Sequence, residues 1–152
     1  MKEIERKFLV NKNALPSLVL LDQIIITQGY LLNTKEKTVR IRLSNKKAFI
    51  TIKGATSGIS RDEYEYQIPY DDAQNILSDF IDQTIDKTRY IIPFGNKNWE
   101  LDVFHNNLEG LIIAEVELEG ENELIQIPEW CTEEVSQNPM YYNAQLIKLN
   151  KF

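Results

Sequence analysis

Apolar and charged residues alternate strictly along much of this chain, and a repeat of two belongs to β-strands rather than helices. The opening MKEIERKFLV sets Glu3, Glu5 and Lys7 on one parity, with Ile4 and Phe8 on the other. TVRIRL interleaves Val39, Ile41 and Leu43 with Arg40 and Arg42, and FITIKG interleaves Ile50 and Ile52 with Thr51 and Lys53. RDEYEYQIP opposes Tyr64, Tyr66 and Ile68 to Arg61, Glu63, Glu65 and Gln67. KTRYII, WELDVF and IIAEVELEG repeat the pattern with Lys87 and Arg89, with Glu100 and Asp102, and with Glu115 and Glu117. ITQGYLL reads as a further, less polarised strand. Polar or glycine-containing turns at residues 33–37, 44–47, 54–60 and 93–98 separate the runs, so about eight strands follow one another in hairpin order.

Helical signals are fewer. Residues 71–81 carry Ala73, Ile76, Leu77, Phe80 and Ile81 at helical spacing behind acidic residues at the start. Residues 14–21 predict a short helix. Asn138 as N-cap and Pro139 at the first helical position predict a C-terminal helix with Tyr142, Leu146 and Leu149 as its apolar stripe. The fold class expected is α+β: an eight-stranded antiparallel β-barrel with a few flanking helices, one of them C-terminal, in a single domain spanning residues 1–152.

The charges decide which way the strands face. An open sheet of this size must protect its edges, and closure removes them. An eight-stranded barrel has room inside for side chains or one small ligand. With the charged parity inward, the lumen holds seven cations (Lys7, Arg40, Arg42, Lys53, Arg61, Lys87, Arg89) against eight carboxylates (Glu3, Glu5, Glu63, Glu65, Glu100, Asp102, Glu115, Glu117). One or two divalent cations would turn that lumen positive, about +1 to +3. The pairs Glu3/Glu5 and Glu115/Glu117 suit Mg²⁺ or Mn²⁺, which take oxygen ligands and share coordination with phosphates. The arginines suit phosphate oxygens through bidentate hydrogen bonds. A polyanion is the ligand such a lumen selects.

Composition narrows the alternatives. A net charge of −6 disfavours binding to a nucleic-acid duplex. A lone cysteine, Cys131, excludes an internal disulfide framework and reads as an idle thiol. The apolar runs are too short to span a bilayer as a helix, and with no apolar leader visible the expected location is cytoplasmic. Trp99 and Trp130 read as packing residues and His105 as an exposed loop residue.

The ordered set of motifs, Glu3-Ile4-Glu5-Arg6-Lys7, QGYL at 28–31, VRIR at 39–42, TIKG at 51–54, the RxEYE pattern at 61–65, KTRY at 87–90, WELDVF at 99–104 and AEVEL at 114–118, resembles the CYTH domain, the triphosphate tunnel metalloenzymes. Its EIERKFLV opening and compact length are similar to the short bacterial tripolyphosphatase branch. The resemblance implies a barrel forming a tunnel, frequent homodimers, and metal-dependent chemistry on a small-molecule triphosphate with one or two Mg²⁺ or Mn²⁺ ions. It implies that Glu3, Glu5, Glu115 and Glu117 bear on the metals with Asp102 close by. It also implies that Arg40, Arg42, Lys53, Arg61, Lys87 and Arg89 hold phosphates. Lys7 is expected near the scissile end and Tyr30 facing the tunnel; Glu63 or Glu65 is expected to assist the attacking water or serve a second metal. Ser136 stands where a threonine is expected.

The reaction expected is hydrolysis of inorganic triphosphate. Alternatives carried by the same resemblance are an adenylate cyclase, which would use a ribose hydroxyl as nucleophile, and a thiamine triphosphatase. A non-catalytic polyphosphate-binding module is disfavoured because both glutamate pairs are intact.

Overall fold

A computed structural model of the chain describes residues 1–18 and 21–149. Eight antiparallel strands close into a barrel: β1 (Lys2–Val10), β2 (Gln23–Asn33), β3 (Lys37–Ser44), β4 (Lys47–Gly54), β5 (Ser60–Ile68), β6 (Ile85–Phe94), β7 (Lys97–Phe104) and β8 (Ile112–Glu117). The order around the barrel is β5-β4-β3-β2-β6-β7-β8-β1, and β1 returns to β5 to shut it. That closing seam is short, with Lys2, Glu3 and Ile4 opposite Asp62, Arg61 and Ser60. Beyond it a ninth strand that alternation had not revealed, β9 (Cys131–Glu134), takes over the same edge of β1. Where β1 changes partner, Ser136 Oγ accepts the Lys7 N–H at 2.9 Å and Val135 N–H donates to the Lys7 carbonyl at 2.8 Å. A buried edge thereby keeps its backbone groups paired.

Both faces of the barrel wall are covered, for different reasons. The outward apolar parity of β1, β6, β7 and β8 supplies Phe8, Ile92, Trp99, Leu101, Ala114 and Val116 to one core, closed over by Leu118 and Trp130. Trp99 anchors it, packing edge-on to Trp130 at 5.8 Å and tilted against Phe8 at 5.7 Å. On the opposite side α1 (Tyr70–Phe80) lies over β3 and β4, burying Ala73 and Leu77 against Ile41 and Ala48. Gly29 of β2 lets α1 approach, since a Cβ there would stand 2.6 Å from Ile81 Cγ2 and 3.1 Å from the Gln83 carbonyl oxygen.

The inward parity is divided along the axis. At one end it is apolar: Leu9, Ile85, Phe104 and Ile113 meet Leu108, Leu111 and Leu146 and form a floor. The C-terminal segment seals this end. Asn138 caps a 3-10 turn, Pro139–Tyr141, by accepting the Met140 N–H at 3.1 Å. Tyr142 is extended, and only the single turn α2 (Asn143–Leu146) follows. The expected C-terminal helix is thus shorter than its apolar stripe suggested: Leu146 is buried, whereas Leu149 is 37% exposed. The helix expected over residues 14–21 is a 3-10 turn at Lys12–Ala14, opened by Asn11, with residues 15–18 non-helical and residues 19 and 20 outside the described part. Pro16 accounts for this, because it pushes the preceding residue out of the helical region.

At the other end the barrel opens. The β3–β4 hairpin turns on Asn45 at φ 53°, a conformation asparagine tolerates. The Asn45 side chain accepts the Ile25 N–H at 2.9 Å, tying the rim of the opening to β2. Among the described residues no helix is long and apolar enough to cross a membrane.

Gly29→Ala tests the α1 contact. Added bulk against Ile81 and a carbonyl should cost about 1–3 kcal/mol through overpacking. A denaturant midpoint unchanged from the parent chain would show that α1 does not bear on Gly29.

Candidate active site

Above the apolar floor the lumen is a cavity of about 220 Å³ walled almost wholly by charge. Six cations line it (Lys7, Arg40, Arg42, Lys53, Arg61, Arg89) with seven carboxylates (Glu3, Glu5, Glu63, Glu65, Glu100, Glu115, Glu117), together with Tyr30 and Asn143. The pleat brings them together: residues two apart on a strand point the same way, and each of the eight barrel strands contributes one, two or three of these side chains.

The charges are sorted by side of the barrel. Across the closing seam, Lys53 Nζ reaches both Glu3 carboxylate oxygens at 3.0 Å and Glu63 at 3.1 Å, and Arg61 Nε reaches Glu3 at 3.4 Å. Burial pushes the Glu3 carboxyl up, but the Glu63 hydrogen bond and the cations Lys53 and Arg61 outweigh it and hold Glu3 below the ordinary range. Its partner takes the proton: burial and the hydrogen bond to Glu3 push Glu63 up to about 7. Glu65, by contrast, is engaged by Thr51 at 2.6 Å and by Arg40 at 3.4 Å.

Between β1 and β8 a second carboxyl pair forms. Burial, then the charges of Glu115 and Glu3, push Glu5 up to about 8. Glu115 is pushed up by burial but pulled further down by Lys7, Arg89 and Lys87, and shares a hydrogen bond with Glu5. Lys7 Nζ stands 3.6 Å from Glu115 and donates to the Tyr141 carbonyl at 3.4 Å. Glu117 is opposite Glu5 in register, at the exposed rim.

Two expected site residues stand behind the wall instead of on it. Asp102 and Lys87 have no measurable exposure and meet at 2.7 Å. Arg89 grips the same carboxylate, from Nε at 2.7 Å and from Nη2 at 2.9 Å. With Lys87 on one of its oxygens and Arg89 on both, Asp102 serves as a support for the cations and presents no carboxylate to the cavity; Lys87 likewise presents no free ammonium. The carboxylate that β7 does present is Glu100, two residues earlier on the same parity, held by Arg89 Nη1 at 2.7 Å. Sequence parity placed Glu100 inside but could not distinguish wall from backing.

Arg42 is the cation with least compensation. Its Nε donates to Gln28 Oε1 at 2.9 Å, and among the described residues no carboxylate forms an ion pair with it. Burial and the neighbouring charges of Arg40 and Arg89 push it down to about 9, so it stays charged at neutral pH in a field that already repels it. The buried Arg40 Nε lacks a hydrogen-bond partner. Uncompensated donors converging on one cavity are what a bound oxyanion would satisfy.

The carboxyl pairs bear on metal binding. In each of the pairs Glu3 with Glu63 and Glu5 with Glu115 one acid is held below the ordinary carboxylate range and the other is pushed above it, so a divalent cation would compete there with a proton. The donors are all oxygen, the kind a hard ion such as Mg²⁺ or Mn²⁺ takes, although among the described residues no three of them already converge on one point.

Asn143, which no alternation pattern could flag because it lies in the C-terminal turn, was missed by the sequence reading. Cys131 is part-buried and its thiol is pushed up to about 12 by burial, in keeping with an idle role.

Comparison with known proteins places this geometry in a family. The CYTH domain model matches residues 1–152. An inorganic triphosphatase of Acetivibrio thermocellus is 43% identical over 148 residues, covering 97% of this chain and 94% of that protein. An inorganic triphosphatase of Nitrosomonas europaea is 36% identical over 157 residues, covering 96% and 97%. A crystal structure of an inorganic triphosphatase superposes with a TM-score of 0.68 at 32% identity, covering 95% of this chain and 93% of the other.

Asp102→Ala would leave the Arg89 guanidinium charged and buried without its main partner, and would leave Lys87, which burial already pushes down to about 7, to lose its proton. The expected loss is about 3–5 kcal/mol of unfolding free energy. A loss under about 1 kcal/mol in a denaturant titration would mean that water reaches these cations and that Asp102 does not support them.

Proposed function

The chain belongs to the CYTH domain family, and from that premise we propose that it hydrolyses inorganic triphosphate in its charged tunnel with the help of a divalent cation. The observation that carries this reading is the lining of the cavity: cations without full partners, Arg42 above all, interleaved with the crowded carboxyl groups of Glu3, Glu5, Glu63 and Glu115. Neither group is at rest alone, and a triphosphate bound with a divalent ion satisfies both.

Arg40, Arg42, Lys53, Arg61 and Arg89 take the non-bridging oxygens and fix the triphosphate chain in line. Lys7, beside Glu115, faces the reacting phosphoryl group. Glu3, Glu5, Glu115 and Glu117 hold the divalent ion, Mg²⁺ or Mn²⁺; once bound, it adds positive charge next to the phosphoryl oxygens and acidifies water there. Catalysis of this kind is mainly positioning and charge neutralisation. Water attacks the terminal phosphorus, the phosphoanhydride P–O bond breaks, and pyrophosphate leaves as orthophosphate forms. Of the two acids that could receive the water proton, Glu63 fits better than Glu65. Burial and the Glu3 hydrogen bond hold Glu63 near neutrality, whereas Thr51 and Arg40 occupy Glu65.

A second reading, cleavage of organic triphosphates, is favoured by the open mouth. A hollow of about 980 Å³, walled by Ile24, Ile25, Ile26 and Phe49, adjoins the tunnel and shares Arg42, Glu65 and Arg89 with it. An apolar group esterified to the triphosphate could rest there.

Product analysis of the purified chain with tripolyphosphate or ATP, with Mg²⁺ or Mn²⁺ and with chelator, tests both. Metal-dependent release of orthophosphate and pyrophosphate from tripolyphosphate is expected. ADP and orthophosphate from ATP at comparable rate would favour the organic substrate, and cyclic AMP would make the chain a cyclase. Glu5→Gln should abolish metal-dependent turnover while leaving the far-UV spectrum unchanged; turnover at the parent rate would remove Glu5 from the metal site.

Metal binding should also depend on pH. Glu5, pushed up to about 8, must lose its proton before it can hold an ion with Glu3 and Glu115, and Glu63, pushed up to about 7, must lose its own before it can receive the water proton. Affinity for Mn²⁺ should therefore rise from pH 6 to about 8 and then level, with protons released on binding. Calorimetry showing the same affinity at pH 6 and pH 8.5 would contradict this.

A further inference from the structure

We infer that Asn143 is a neutral hydrogen-bond donor to the end of the triphosphate that reaches the closed floor of the tunnel, an inference that rests on the triphosphate reading above. The argument is about which way one amide must face. Arg42 carries only donors, so the oxygen of Gln28 must turn toward it, and Arg42 Nε indeed donates to Gln28 Oε1 at 2.9 Å. The amide nitrogen of Gln28 then points away from Arg42, and it donates to Asn143 Oδ1 at 3.3 Å. Lys87 Nζ, which donates to Asp102 at 2.7 Å, also donates to the same Oδ1 at 3.1 Å. Gln28 and Lys87 have no measurable exposure, so neither exchanges these partners for water. Two donors converge on Oδ1, and reversing the amide would set its NH₂ against both of them. The Nδ2 group is left without an acceptor among the described residues, on a side chain that lines the charged cavity.

Position gives this donor its purpose. The C-terminal segment carries Asn143 to the closed end of the barrel, fixed by Asn33 Nδ2 on the Ala144 carbonyl at 2.8 Å and by Leu146 in the apolar floor. A triphosphate entering from the open mouth presents its terminal phosphoryl group to this end. An uncharged donor there contributes hydrogen bonds to the oxygens without adding another cation beside Lys87 and Lys7.

Two substitutions separate donation to substrate from a purely structural role. Asn143→Asp keeps the acceptor that Lys87 and Gln28 use but replaces the donor by an anion; Asn143→Ala removes both. Steady-state kinetics on tripolyphosphate with Mg²⁺, alongside thermal unfolding, are the measurements. For Asn143→Ala we expect KM to rise about tenfold with kcat within about threefold. For Asn143→Asp we expect a melting temperature close to that of the parent but a KM at least about tenfold above the Ala variant, because like charges face each other. If Asn143→Asp restores parental KM, Asn143 serves only as an acceptor for Lys87 and the inference fails. It fails equally if both variants keep the parental KM, or if kcat falls while KM holds. If the parent chain itself neither binds nor hydrolyses tripolyphosphate, the triphosphate reading fails first and the inference goes with it.

Discussion

The grip of Lys87 and Arg89 on Asp102 is the interaction on which the tunnel depends. A carboxylate without exposure cannot remain ionised unless cations meet it, and two do, at 2.7 Å each. Their positions fix much else. Arg89 also donates from Nη1 to Glu100 and thereby sets a carboxylate on the wall. Lys87 reaches from Asp102 to Asn143, and Gln28 links Asn143 to Arg42. One continuous run of hydrogen bonds therefore joins β7, β6, the C-terminal turn, β2 and β3. Its members hold one another by hydrogen bonds between 2.7 and 3.3 Å, which is the kind of preorganisation a binding site requires.

Charge and apolar packing divide the same inward parity. Floor residues such as Leu9, Ile113 and Phe104 continue the rows that carry Lys7, Glu115 and Asp102. A barrel charged over its whole length would leave both ends wet and screen its own ion pairs. Closing one end with an apolar layer raises the strength of each remaining interaction, because the local dielectric falls. Net charge is then a poor guide to the ligand. The chain is acidic overall, yet the tunnel gathers six cations and crowds two pairs of acids together.

Much of this was legible in the sequence because a strand reports its two faces directly. The parity of Glu3, Glu5 and Lys7, of Arg40 and Arg42, and of Glu115 and Glu117 is sufficient to place them on one side of the wall. Depth is another matter. Glu100 and Asp102 share a parity, and only barrel tilt and register, with Glu100 opposite Glu115 and Asp102 opposite Arg89, decide which one meets the cavity. Asn143 lay beyond this reasoning altogether, since it arrives on a turn without periodic pattern. The same holds for β9, four residues whose pairing is decided by the free edge of β1 and not by their own alternation. The C-terminal stripe misled for the opposite reason: its spacing was helical, but extended Tyr142 interrupts the helix so that the segment can fold across the barrel end.

The apolar floor and the open mouth give the tunnel a direction, so a triphosphate that enters at the mouth stands with its leading phosphoryl group toward the floor. Whatever is attached to the far end of the triphosphate remains at the rim, among Ile24, Ile26 and Phe49. The charged wall recognises the phosphate chain, which inorganic and organic triphosphates share. Discrimination between them therefore falls to the rim, where Ile24, Ile26 and Phe49 stand beside Lys46 and Lys47. Recognition of the phosphate chain and accommodation of what it carries thus fall to separate parts of one barrel, joined through Arg42, Glu65 and Arg89.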